Sequence, residues 1–364
     1  MLDNCHEAAQ SAQKAGRPIV GILCEYTPRE LILAAGALPV CLCGGSAETI
    51  PAAEKDLPAG LCPLIKSTYG YEVTAANPFL EMASLLVAET TCDGKKKMYE
   101  LMARRRDLYV LELPQKSDSP QGLALWRGEL EKFRDHLRQR FGRPMTDDDL
   151  RAAIALMNRE RAVRRKLAEL MARPEPPLTG RQVLSLKSSI SCLEADLAMY
   201  DSALAELSAA PGLPGRRVRV LLTGVPVVSG AERVVDLIEQ LGGLIVAQDN
   251  CTGLKPILED VDPAAADPLW ALAEKYFHLP CSVMTPNTRR LEGLEQLAKT
   301  YRPDCVIELI WQGCLTYAVE SALVRELVEE KLRLPYLKIE TDYSPGDSAR
   351  LSLRIEALLE TAKS

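Results

Sequence analysis

Eleven cysteines stand in this 364-residue chain, and six of them share a setting. Cys24, Cys62, Cys92, Cys251, Cys281 and Cys314 each lie near a predicted strand end, a proline or a glycine, outside any apolar stripe. Strand-to-helix turns offer accessible sulfur and neighbouring backbone N–H donors, which suits the thiolate ligands of an iron–sulfur cluster. One cysteine in such a place is commonly a small buried hydrophobe. Six in equivalent settings point to metal. No Cys-x-x-Cys pair occurs and the only histidines are His6, His136 and His278, which argues against zinc ribbons, Cys2His2 sites and small-ferredoxin spacing. Any metal site must gather its ligands from distant parts of the fold. The other five cysteines read as structural: Cys305 within a strand, Cys192 within a helix, Cys41 and Cys43 along or just past a strand, and Cys5 in a mobile terminus. Cys41 or Cys43 is the first reserve ligand.

Leu85–Lys97 shows how the elements position such a residue. An apolar run reads as a buried strand, Cys92 sits just past its end, and Asp93, Gly94 and three lysines open a helix. Ligands in open α/β sheets bind outside the carboxyl ends of strands, so this is a place for chemistry. Further strands are expected at 18–24, 38–42 and 108–112, with Thr27-Pro28-Arg29-Glu30 read as a capped helix start in which Glu30 completes a capping box. From about Gly122 the period changes to that of helices. Thr146 caps one that runs to about Met171, and another is expected over 186–207. After the linker Pro211-Gly212-Leu213-Pro214-Gly215, strands are expected at 218–223, 244–248, 305–310 and 336–340. The fold class is therefore α/β: two Rossmann-like parallel-sheet domains (1–121 and 211–364) with a helical domain (122–210) between them.

Composition excludes several functions. A net charge of −6 gives no electrostatic case for nucleic acid. No apolar run approaches the roughly 18 residues of a membrane span. The polar first residues lack a signal-peptide core, so a cytoplasmic location is expected, and with it reduced thiols rather than disulfides.

Weaker signals surround the cysteines. Lys95, Lys96 and Lys97 either offset the charge of a thiolate-bound cluster or form a solvated first helical turn, and Lys66 is read the same way. Glu25 and His278 are the catalytic candidates, as proton relays close in sequence to ligands. Gly224 to Gly230 lacks the order of a phosphate or dinucleotide loop and reads as an α/β turn, so nucleotide binding is not expected of this chain. The Leu/Met stripes of the middle helices are core or a dimer face.

Several of these strings resemble the 2-hydroxyacyl-CoA dehydratase superfamily: Glu25-Tyr26-Thr27-Pro28-Arg29-Glu30 after Cys24, Cys62-Pro63, Thr90-Thr91-Cys92-Asp93-Gly94-Lys95-Lys96-Lys97, Thr146-Asp147-Asp148, Asn158-x-x-Arg161 and Glu340-Thr341-Asp342-Tyr343-Ser344. The resemblance covers nearly the whole chain. It implies an oxygen-sensitive radical enzyme whose dehydratase subunits hold one 4Fe–4S cluster on three cysteines, here Cys62, Cys92 and Cys314. Cys24, Cys251 and Cys281 depart from that pattern and resemble the double-cubane branch, in which one polypeptide binds an 8Fe–9S cluster with three thiolates per cubane. The resemblance leaves the division of the six between cubanes open. It also implies a homodimer, and as partner an ATP-dependent iron–sulfur reductase feeding low-potential electrons for reduction of a small-molecule substrate. The alternatives are a dehydratase subunit acting on a CoA thioester and a non-catalytic electron-transfer protein.

Overall fold

A computed structural model describes residues 1–363 of the chain. Eight strands form two all-parallel, four-stranded sheets. The first holds β1 (Ile19–Ile22), β2 (Leu38–Cys41), β3 (Leu85–Glu89) and β4 (Leu108–Leu111) in the order β2-β1-β3-β4. The second holds β5 (Val218–Gly224), β6 (Gly243–Asp249), β7 (Cys305–Trp311) and β8 (Tyr336–Thr341) in the order β6-β5-β7-β8. One strand order is thus used twice, as the α/β alternation on either side of a helical stretch predicts. Parallel sheets are covered on both faces, so their central strands are apolar throughout rather than alternating. Every residue of the central strands β1, β3 and β7 is buried, as is every residue of the edge strand β6, and Glu89, Asp249 and Glu308 are the charged residues within these runs.

A single core spans the two halves, joining Val40, Leu86 and Ala88 to Val220, Leu222 and Ile307. The other face of the first sheet is covered by the helices Pro120–Phe141, Asp147–Glu169 and Pro268–Phe277, through side chains such as Trp126, Phe133, Ile154 and Phe277. Each such side chain contributes about 2 kcal/mol by leaving water. Among the described residues no strand lies between Leu111 and Val218. The turn after β5 packs on the first half: a Cβ on Gly45 would stand 2.0 Å from the Ser229 carbonyl oxygen, so only glycine lets these backbones meet. No helix among the described residues is long and apolar enough to cross a membrane.

The cap at Thr146 forms as expected, with Thr146 Oγ1 accepting from Asp149 N at 3.1 Å and Asp149 Oδ2 accepting from Thr146 N at 2.8 Å. The other capping box does not. The helix Arg29–Ala34 has no side-chain cap, because Thr27 Oγ1 donates to Glu89 and the Glu30 carboxylate is taken by Arg161 at 2.6 Å and by the Tyr276 hydroxyl at 2.8 Å. Charge-assisted bonds in a buried setting outweigh a terminal cap. The helix expected over 186–207 begins only at Glu194 and runs to Ala209, and a separate short helix, Gly180–Ser185, precedes it. Between them the chain runs along the edge of the first sheet, where Ile190 bridges Val40 and Cys41 N donates to the Ser189 carbonyl at 2.8 Å. The unpaired edge groups of β2 are satisfied at the expense of helix. Cys192 consequently sits in a turn with φ of 63°. Cys5 is no part of a mobile end: it is fully buried in the helix Leu2–Lys14, with Sγ 3.1 Å from Ser188 Oγ.

Candidate iron–sulfur site

Cys62, Cys92 and Cys314 are each the residue immediately before a helix: Pro63–Thr74, Asp93–Met102 and Leu315–Glu326. Pro63 supplies the fixed φ suited to a first helical position. Gly313, at φ of 78°, turns the chain from β7 into the helix after Cys314. A Cβ there would lie 2.4 Å from the Gly60 carbonyl oxygen, so the loop carrying Cys314 rests on the loop carrying Cys62. The thiols of Cys62, Cys92 and Cys314 act on one another electrostatically. Burial pushes Cys62 up to about 11 and Cys314 up to about 12, while backbone N–H groups of Leu64 and Ile65 oppose the rise at Cys62 and that of Tyr317 opposes it at Cys314. These N–H groups belong to the first turns of the two helices, whose positive ends favour negative charge.

Cys24, Cys251 and Cys281 form a second mutually interacting group and lie in turns, past β1, past β6 and past the helix Pro268–Phe277. Burial drives Cys24 far up and Cys251 up to about 12, and here lysines oppose it: Lys95 at Cys24, and Lys255 with Lys187 at Cys251. Lys95 Nζ donates to the Leu23 carbonyl at 2.8 Å, Lys255 Nζ to the Tyr317 hydroxyl at 2.8 Å, and Lys187 Nζ to the Cys251 carbonyl at 2.9 Å. The Tyr26 hydroxyl donates to the Leu279 carbonyl at 3.1 Å and so fixes the loop before Cys281. Lys95 acts on Cys92 as well as Cys24 and stands between the groups.

Among the described residues no three His, Cys, Asp or Glu side chains converge closely enough to share one metal ion. A cluster poses a different requirement, because each thiolate binds a separate iron. Three thiols per group, buried at Cys62 and half-buried at the other five, with N–H donors or lysines opposing their charge, are a donor set that fits one. Cys41 Sγ accepts from Arg29 at 3.3 Å, and Cys43 Sγ donates at 3.6 Å to the Leu23 carbonyl that Lys95 also holds, so each of these thiols already has a partner.

The remaining candidates divide. Glu25 is buried, which would raise its pKa, yet Arg29 at 2.7 Å and Lys187 at 3.0 Å hold the carboxylate well below its usual range. It has no proton to give near neutral pH. His278 ends the helix Pro268–Phe277 with Nδ1 2.8 Å from the Glu274 carbonyl oxygen, edge-on to Phe277. Lys96 and Lys97 are exposed and paired with Asp93 and Glu100. Lys66 ties Glu54 and the Ala59 carbonyl, each at 2.7 Å, and so braces the loop before Cys62.

Sequence reasoning missed Glu89. This last residue of β3 is fully buried, and burial pushes its carboxyl up to about 8. Oε1 accepts from Thr27, and Oε2 has no partner. The group holds a proton at neutral pH, within electrostatic reach of Cys24 and Lys95. A glutamate closing an otherwise apolar strand was the available signal. Arg290 was missed too: fully buried, it meets Glu308 and Thr223 at 3.0 Å and stacks over Tyr317 at 4.8 Å, bracing the ring whose hydroxyl holds Lys255.

The chain is 40% identical to YjiM of Escherichia coli (strain K12), a protein with a provisional dehydratase-subunit name, over 99% of this chain and 97% of that one. It is 23% identical to the (R)-phenyllactyl-CoA dehydratase beta subunit of Clostridium sporogenes, covering 96% and 93% of the two chains. With one of the subunits of benzoyl-CoA reductase from Thauera aromatica the identity is 24%, over 91% and 87%. The family model described as 2-hydroxyglutaryl-CoA dehydratase, D-component, matches residues 24–362. The chain therefore belongs to that family, whose members are dehydratase and reductase subunits that carry iron–sulfur clusters.

Proposed function

We propose that this chain is an iron–sulfur reductase that receives low-potential electrons from an ATP-hydrolysing partner and delivers them to a small molecule. The carrying observation is the division of six cysteines into two mutually interacting groups of three. Three thiolates per cubane is the complement of an 8Fe–9S double cubane, so Cys62, Cys92 and Cys314 are assigned to one cubane and Cys24, Cys251 and Cys281 to the other. The bound cluster would supply one-electron reduction at low potential. The chain's own groups do the rest. Helix N-termini and Lys95 and Lys255 offset the thiolates' charge, Glu89 stores a proton beside Cys24, and the ionised Glu25 orients Arg29 and Lys187.

The names of the relatives favour a second reading over this one: a dehydratase subunit with a single 4Fe–4S cluster on Cys62, Cys92 and Cys314, acting on a CoA thioester. On that reading the second group remains free thiols. Iron and acid-labile sulfide per chain, measured after strictly anaerobic purification, separate the two. About eight irons, falling to about four in Cys251→Ser or Cys281→Ser, supports the double cubane. About four, unchanged by either substitution, moves the assignment to the dehydratase subunit. Absence of iron from protein never exposed to oxygen overturns both.

A further inference from the structure

Two adjoining cavities lie behind the second cysteine group. The inner one, about 440 Å³ with its mouth included, is walled by Glu25, Arg29, Arg161, Arg164, Lys187 and Lys275 among others. It touches all three cysteine-bearing segments: Glu25 follows Cys24, Lys187 holds the Cys251 carbonyl, and Leu279 on its wall leads to Cys281. The outer one, about 580 Å³ on the same measure, is lined by apolar side chains such as Leu167, Met171, Val183 and Leu254. The two share Arg164, Lys187 and Ile257.

The inner cavity has more cations than carboxylates. Five basic side chains face it (Arg29, Arg161, Arg164, Lys187 and Lys275), against Glu25 and Glu160 on its wall and Glu30 behind Arg161. Glu25 is shared by Arg29 and Lys187, Glu30 pairs with Arg161 and Glu160 with Arg164. Lys275 is left with the Pro256 carbonyl at 3.3 Å and the face of Tyr276 at 4.8 Å. Burial and the charge of Arg161 bring it down to about 7. Arg29 Nε and Arg161 Nε, on side chains that are 6% and 2% exposed, have no acceptor at all. Buried donors without partners are costly, and a planar guanidinium fork matches a carboxylate.

We propose that the paired cavities bind a small organic acid with an apolar substituent, its carboxylate held by Arg29, Arg161 and Lys275 and its apolar part in the outer cavity. This assignment stands on the cavities alone and does not require the cluster. The test is calorimetric titration of the anaerobically purified full chain with butanoate, acetate, inorganic phosphate and 1-butanol, with iron counted on the same sample. Butanoate should bind at one site, at least tenfold tighter than acetate or 1-butanol. Lys275→Met should weaken it at least tenfold with an unchanged melting temperature. No saturable binding of butanoate, binding unaltered in a folded Lys275→Met variant, or tighter binding of phosphate than of either acid would overturn the proposal. The comparison of acids with alcohol needs only the unsubstituted chain, so it decides even if the variant does not fold. The iron count keeps a failure here distinct from a failure of the cluster assignment.

Discussion

The two cysteine groups solve one electrostatic problem by different means. Cys62, Cys92 and Cys314 stand directly before helices, and peptide N–H groups oppose the rise at Cys62 and Cys314. Cys24, Cys251 and Cys281 sit in turns, and the leading opposing charge at Cys24 and Cys251 comes from lysine ammonium groups. Backbone dipoles are fixed by the fold and cannot be removed by a side-chain substitution. A lysine can be removed, and its replacement leaves the local backbone in place. The second group is therefore the tunable one, and the first is the one whose properties follow from secondary structure.

The largest effect should come from the ligands themselves. Under the double-cubane assignment a serine at Cys62 or at Cys251 removes about half of the iron, about four per chain, and elemental analysis checks whether both groups respond. A response confined to Cys62, Cys92 and Cys314 breaks the symmetry and leaves one cubane. Next in size is Glu89→Gln in metal-free protein. A carboxyl raised by burial to about 8 adds stability below its unfolded pKa, and that contribution is lost as pH rises through 8. At about 1.4 kcal/mol per pH unit, native stability should drop by a few kcal/mol between roughly pH 4.5 and 8.5, and the Gln variant should lose that slope in urea titrations. Lys255→Met should lower the potential of the second group by on the order of 50–100 mV, the equivalent of about 1–2 kcal/mol for loss of one nearby charge at an effective dielectric of ~20. Redox titration followed by EPR would show this, and an equal shift in the signal of the first group would erase the distinction. Smallest is Tyr317→Phe, which deletes the hydroxyl that holds Lys255 at 2.8 Å and should cost about 1 kcal/mol in thermal stability.

How legible was this in the sequence? The strands were, because buried parallel strands are uninterrupted apolar runs, and the sheet repeat followed from alternation with helices. The six cysteines of interest stood out by their turn-like neighbours, and Asp93-Gly94 marked a helix start at Cys92, but nothing local says which of the six share a group. Their grouping depends on which strand ends face each other across the two halves, a non-local fact. The capping box at Thr27 failed for the same reason: Glu30 meets Arg161 more than a hundred positions away. Lys95 looked like its neighbours Lys96 and Lys97, and only the direction of its side chain, toward the Leu23 carbonyl, sets it apart. Glu89 and Arg290 were hidden because a charge inside an apolar run carries no label saying what it will meet.

Each cysteine group draws on both sheets. Cys62 and Cys92 come from the first half with Cys314 from the second, while Cys24 comes from the first with Cys251 and Cys281 from the second. Neither half owns a complete ligand set, so anything bound to these thiols is a clasp across the molecule. Its binding energy is then also docking energy for the halves. Oxidative loss of such a clasp would weaken the docking of the halves on their shared core as well as remove a redox centre, and faster proteolysis at Pro211–Gly215 would report it.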